Sequence, residues 1–114
     1  MDNCLFCKII KGEIPSTKVF ENDQVFAFKD INPQTPFHVL VVPKKHVSSV
    51  AEIDQLSNDE IAACLLAIRQ IAASESSLSG GFRIISNCGA DACQSVPHLH
   101  FHILGGTRMA ERMV

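Results

Sequence analysis

Near the end of the 114-residue chain, three imidazoles alternate with apolar residues: His98-Leu99-His100-Phe101-His102-Ile103-Leu104. Side chains along a β-strand point to opposite faces with a period of two. As a strand, the run places His98, His100 and His102 in a row on one face. Leu99, Phe101 and Ile103 fill the other and anchor it in a core. As a helix it would scatter the imidazoles and leave no apolar stripe. A row of imidazoles can bind metal, move protons or supply a nitrogen nucleophile. Two active arrangements are open. Three histidines suit a catalytic zinc with a free position for water. Alternatively, one imidazole attacks an electrophilic phosphorus or acyl centre. Its other nitrogen is then held protonated by a fixed acceptor, and its neighbours neutralise charge on the phosphoryl oxygens.

The preceding segment favours the second arrangement. Asn87-Cys88-Gly89-Ala90-Asp91-Ala92-Cys93-Gln94-Ser95 is rich in small residues. Their backbone N–H groups can approach an anion closely, as in phosphate nests. Asn87, Gln94 and Ser95 add neutral donors. Beside three histidines, this loop reads as a phosphate cradle.

Several elements must position these groups. Residues 5–11 predict a short helix ended by Gly12. Val19-Phe20 and Gln24–Lys29 read as strands joined by the turn Glu21-Asn22-Asp23. Asp30–Pro36 is a loop, because Pro33 and Pro36 bar regular pairing. Phe37–Val42 is an apolar strand interrupted by His38, and Pro43-Lys44-Lys45-His46 leaves it. Ser57 offers an N-cap, and Glu60 completes a capping box. Apolar positions 61, 65, 68 and 72 then predict one long amphipathic helix to about Ala73. Ser74–Gly81 is a connector and Phe82–Ser86 a strand. Pro97 opens the histidine strand, and Gly105-Gly106 ends it.

Composition bounds the rest. A chain with 46% hydrophobic residues can bury a core without staples, and one domain over residues 1–114 is expected. The net charge of −2 and the lack of a basic run predict no nucleic-acid binding, while leaving small nucleotides open. No apolar stretch is long enough to span a membrane. Met1-Asp2-Asn3-Cys4 carries no charged leader with an apolar run behind it. Five cysteines, an odd number, point to reduced thiols or metal ligation, and a cytoplasmic location is expected. Cys4-Leu5-Phe6-Cys7 carries a C-x-x-C pair. It reads as a redox pair, as ordinary packing of small apolar side chains, or as half of a zinc site.

Gln94-Ser95-Val96-Pro97-His98-Leu99-His100-Phe101-His102-Ile103-Leu104 resembles the signature of the histidine triad (HIT) superfamily. Cys4–Ile10 with Gly12-Glu13-Ile14-Pro15 resembles the N-terminus of its Hint branch. So do Phe26–Ile31 and Pro36-Phe37-His38 leading to Pro43-Lys44-Lys45-His46. The resemblance covers residues 4–106. It implies an α+β fold with a five-stranded antiparallel sheet, one long and one short helix, and a homodimer with a ten-stranded sheet. It implies binding of purine nucleotides, AMP or GMP, and hydrolysis of nucleoside 5′-phosphoramidates through a covalent nucleotidyl-histidine.

Carried over by residue, His100 is the nucleophile, its ring held by a backbone carbonyl. His102 and Asn87 contact the α-phosphate, and Ser95 lies near the leaving group. Cys93 and Gln94 belong to the phosphate loop, and Cys93 stands where relatives usually carry Gly. Asp30 takes the ribose hydroxyls. Leu5, Phe6, Ile9, Phe28 and Ile31 match the apolar slot for the base. His38 matches a histidine behind the triad in some members. Some relatives also hold structural zinc through residues matching Cys4, Cys7, His46 and His98. Cleavage of dinucleoside polyphosphates, a non-catalytic nucleotide-binding module and a catalytic zinc hydrolase are the competing functions.

Overall fold

The computed structural model describes residues 3–112. Residues 1, 2, 113 and 114, the first two of them in the Met1–Cys4 segment read above, lie outside the described residues. Five antiparallel strands form one sheet: β1 (Lys18–Glu21), β2 (Val25–Lys29), β3 (Phe37–Pro43), β4 (Phe82–Ile85) and β5 (Phe101–Gly105). Their order is β1-β2-β3-β5-β4, so β3 is central and β4 and β1 are the edges. Two helices cover it, short α1 (Leu5–Ile10) and long α2 (Asn58–Ala73).

The period-two rule divides the sheet cleanly. Val25, Ala27, Val39, Val41 and Ile103 share one core with Ala63, Cys64, Ala67, Ile68 and Ile71 of α2. The alternate residues Phe26, Phe28, Leu40 and Val42 pack with Phe6, Cys7 and Ile9 of α1. Strand β3 is buried on both faces beyond Phe37, which is why it reads as a nearly unbroken apolar run.

Both helix boundaries follow local chemistry. Ser57 Oγ accepts from the Glu60 N–H at 3.1 Å, and the Ser57 N–H returns a bond to Glu60 Oε1 at 2.8 Å. Helix α1 stops where Gly12 takes φ +80°. The Glu13 and Gly12 N–H groups there close onto the carbonyls of Lys8 and Ile9.

Two expectations needed revision. The buried stripe of α2 is Ala63, Cys64, Ala67, Ile68 and Ile71; of the expected positions 61, 65, 68 and 72, Ile68 is buried, Ile61 and Ala72 are partly buried against the cores, and Leu65 faces outward. Small residues bring the helix close to the sheet, leaving Leu65 51% and Leu66 62% exposed. The histidine strand is also shorter than the alternation predicts. Strand β5 starts at Phe101, so only His102 of the three lies in it. Pairing with β3 ends at Val41↔Phe101, and β3 itself ends at Pro43, which has no N–H to offer a ladder. The Leu99 N–H bonds the Val47 carbonyl instead, and Leu99 packs with Val47 and Leu56 in a separate core. The chain thus bends away from the sheet at the first two histidines. The three imidazoles form no exposed row: His98 is 0% and His100 5% exposed.

Candidate active site and metal centre

The N-terminus of α1, the segment after β3 and the approach to β5 bring together four side chains that could hold a metal ion, Cys4, Cys7, His46 and His98. Cys4 caps α1, its sulfur accepting from the Cys7 N–H at 3.4 Å, so both thiols sit on one helical turn. Cys4 Sγ lies 3.3 Å from His98 Nδ1, and Cys7 Sγ lies 3.4 Å from His46 Nδ1 and 3.5 Å from His98 Nδ1. The two Nδ1 atoms are 3.1 Å apart. A tetrahedral zinc with Zn–N of about 2.0–2.1 Å and Zn–S of about 2.3 Å has ligand-to-ligand edges of about 3.3–3.8 Å. The donors therefore nearly match a single ion's shell. Tautomer agrees: His98 Nε2 donates to the Pro43 carbonyl at 2.9 Å, which leaves the Nδ1 lone pair facing the cluster. Burial pushes His98 down to about 4, lowers His46 and raises the Cys7 thiol. Neutral imidazole is the ligating form, and a dication reverses the penalty on thiolates.

The carbonyl of His98 serves the next imidazole. It accepts from His100 Nδ1 at 2.7 Å, which places that ring's free lone pair on Nε2. Ser86 Oγ donates to the His100 carbonyl at 2.8 Å. Phe6 meets the His100 ring edge-on, with centroids 5.0 Å apart.

A third cluster follows from sheet register. Leu40 faces His102 and His38 faces Leu104, so His38 and His102 are diagonal neighbours on one face. Asp30 continues β2 beside His38, its N–H bonding the His38 carbonyl at 3.1 Å. The Gln34 N–H donates to His38 Nδ1 at 3.0 Å. The proton of neutral His38 is therefore on Nε2, 2.8 Å from His102 Nδ1 and 3.4 Å from Asp30 Oδ2. His102 accepts on Nδ1 and carries its own proton on Nε2. Burial lowers both rings, His102 to about 4, with the Asp30 charge opposing.

His100 and His102 line a cavity of about 370 Å³ on the α1 face. Its apolar wall includes Leu5, Phe6, Ile9, Phe28 and Ile31, and Asp30 and Ser95 stand at its polar positions. Ile31 is 90% exposed, at the mouth. Ile14, Pro15, Ser16, Lys29, Asn32, Leu40 and Val96 also line it. The sequence assigns none of these seven a role, although Ile14-Pro15, Lys29 and Val96 lie inside quoted motifs. Asp30 Oδ1 also accepts from the Asn32 N–H at 2.8 Å, so the residue shapes its turn as well as facing the cavity. A larger, more open concavity of about 750 Å³ between Ser77 and Met109 holds no imidazole, thiol or carboxylate.

The chain from Asn87 to Ser95 differs from a simple cradle of backbone donors. The Ala92 and Gln94 N–H groups bond the Gly89 carbonyl, and the Cys93 N–H bonds that of Ala90. This is the same closure that ends α1, with Cys93 at φ 59° in the place Gly12 takes there. Asn87, Cys93 and Gln94 do not line the cavity, and the Gln94 amide is engaged elsewhere.

A model of the HIT domain matches residues 11–109. The chain belongs to the HIT family. A histidine triad protein from Clostridium difficile superposes with a TM-score of 0.88 at 48% identity, covering 98% of this chain and 96% of that one. A HIT family hydrolase from Clostridium thermocellum gives a TM-score of 0.85 at 43% identity, covering 100% and 99%. Two plant relatives are each 44% identical over 92% of this chain. They are a 14 kDa zinc-binding protein of Zea mays, 83% covered, and the adenylylsulfatase HINT1 of Arabidopsis thaliana, 72% covered. The five-stranded antiparallel sheet with its two helices is thus the HIT fold. Among the described residues, no helix is long and apolar enough to cross a membrane.

Proposed function

We propose that this HIT protein is a hydrolase of the Hint type that cleaves purine nucleoside 5′-phosphoramidates through a nucleotidyl-His100 intermediate. The observation that carries the reading is the bond from His100 Nδ1 to the His98 carbonyl. It commits the ring to one tautomer and gives Nε2 the nucleophilic lone pair. The apolar wall takes the base, Asp30 takes the ribose hydroxyls, and His102 donates from Nε2 to the phosphoryl oxygens. Attack by His100 forms an N–P bond as the P–N bond to the amine breaks. The amine departs with a proton delivered at the Ser95 side. Water then attacks phosphorus, the histidine leaves with its electron pair, AMP or GMP is released, and a proton returns to solvent. Cys4, Cys7, His46 and His98 would hold zinc in a closed four-ligand shell, which serves structure and offers no site for water.

The Arabidopsis relative supports a second substrate, adenylyl sulfate, with sulfate as the leaving group in the same attack. A second copy of the chain is proposed to pair along β4. That strand is an edge, and Phe82 and Ile84 lie exposed on it. Light scattering reads the mass directly, and a monomer at micromolar concentration rejects the pairing.

The deciding experiment is intact-mass measurement seconds after mixing with a tryptamine adenosine phosphoramidate, in the wild type and in His100→Asn. The wild type should gain one nucleotidyl group, and the variant none. Turnover should fall by roughly a thousandfold or more in the variant. Near-normal turnover in folded His100→Asn rejects the covalent route.

A further inference from the structure

Gln94 sits one residue before Ser95 and faces away from the cavity. Its amide spans a seam between two segments. Nε2 donates to the Ser48 carbonyl at 2.7 Å and to the Val96 carbonyl at 3.0 Å, while Oε1 accepts from the Gly89 N–H at 2.9 Å. Both amide hydrogens and the oxygen are therefore used. Cys88 Sγ crosses the same seam to Ser49 Oγ at 3.3 Å. Ser48 lies two residues after His46, and the Leu99 N–H bonds the carbonyl of Val47 between them at 2.8 Å. One side chain thus grips both ends of the loop, Gly89 and Val96, and fastens them to the strip that follows the metal-type cluster.

We propose that Gln94 is a positioning residue: it holds Ser95 at the cavity by tying the loop's ends to Ser48. The proposal rests on the reading above that Ser95 faces the leaving group. Ser95 has Gln94 on one side and Val96 on the other, and both are fixed by this amide. The loop's backbone bonds to the Gly89 and Ala90 carbonyls and the Cys88–Ser49 contact all lie before Ser95, so the Gln94 amide is the fastening nearest to it. A group that touched phosphate directly would keep an amide hydrogen for the ligand; both of Gln94's are spent on backbone carbonyls.

The test uses the zinc-loaded full chain in four forms: wild type, Gln94→Ala, Ser95→Ala and the double variant. Hydrogen exchange at the Gly89 amide is read without any substrate. Its acceptor is the Gln94 side chain, so exchange should accelerate about tenfold in Gln94→Ala, with zinc content unchanged. Turnover is read with two adenosine phosphoramidates, one releasing an alkylamine and one an arylamine. The alkylamine leaves poorly and depends most on groups at the leaving nitrogen. Gln94→Ala should therefore cost about tenfold with the alkylamine and about twofold with the arylamine. Adding Gln94→Ala to Ser95→Ala should cost almost nothing further, because both act at one place.

Unchanged Gly89 exchange, or full additivity of the two substitutions, overturns the proposal. A loss equal for both amines does the same, since it points to a direct phosphate contact. Should the wild type turn over neither substrate, the phosphoramidase reading falls. The Gly89 exchange rate then decides alone whether Gln94 ties the loop.

Discussion

Two clusters flank His100, and by residue type either would pass for a metal site. Cys4, Cys7, His46 and His98 form one; Asp30, His38 and His102 form the other. Hydrogen bonds at their outer rims separate them. At His98, a carbonyl takes the ring's outer proton and turns a lone pair inward. At His38, a backbone N–H takes the outer lone pair and turns a proton inward. The first interior gathers lone pairs that suit a cation, whereas the second already contains the proton that joins His38 to His102. Spacing agrees, for the 2.8 Å between His38 and His102 is a hydrogen-bond distance, below the roughly 3.3 Å edge between two nitrogens on one zinc. The tautomer imposed by the backbone, more than the list of side chains, decides what such a cluster holds.

The largest effect should come from breaking the first cluster. Cys7→Ser should reduce zinc from one ion per chain to almost none. It should also cost several kcal/mol of stability, or roughly 10 °C or more in Tm, because a structural metal is folding free energy. Elemental analysis and a melting curve check this. Two ions per wild-type chain would erase the distinction between the clusters.

Breaking the second cluster should act on rate. His38→Asn removes the donor to His102 and should lower turnover by roughly ten- to a hundredfold, with zinc content retained. Loss of zinc in this variant would show that the clusters are not independent.

Acid should distinguish the second cluster by a smaller, graded effect. The folded His102 is held at about 4 by burial, against an ordinary value near 6.5. Between those values the unfolded ring takes a proton that the folded ring refuses. Stability is then full above about pH 6.5 and falls as pH drops toward 4. Denaturant midpoints across this window should decline more steeply in the wild type than in His102→Gln. Parallel declines would remove His102 as a source.

The smallest effect concerns Asp30. Wild type should prefer AMP to 2′-deoxy-AMP by about tenfold, in keeping with one charge-assisted bond, and Asp30→Ala should not discriminate. KM should rise more than kcat falls, because the ribose lies away from phosphorus. A part of the loss should still appear in kcat, since Asp30 Oδ2 lies 3.4 Å from His38 Nε2. Equal preference in both proteins would leave Asp30 as a turn residue alone.

Local rules settled much of this molecule from sequence. The capping box at Ser57 and Glu60, the stop at Gly12 and the apolar run of β3 depend on residues within a few positions of one another. So does the alternation along β5 that keeps Ile103 in the core while His102 faces the cavity. The family's motifs supplied the list of residues that meet, including Cys4 and Cys7 with His46 and His98.

What tertiary structure alone decided are the features set by partners distant in sequence. β5 begins only at Phe101 because β3 runs out at a proline 58 positions earlier. Leu65 faces outward because α2 settles on the sheet along the small residues Ala63, Cys64 and Ala67 beside Ile68 and Ile71. The joining of Asp30, His38 and His102 needed the cross-strand register, which no spacing within one segment reveals. Gln94 belongs with them. Its type suggested a donor for phosphate, yet Ser48, Val96 and Gly89 already satisfy the amide. A sequence fixes which polar groups exist and where backbone periodicity sends them; folding fixes which partners use up their hydrogen bonds, and therefore which remain free for chemistry.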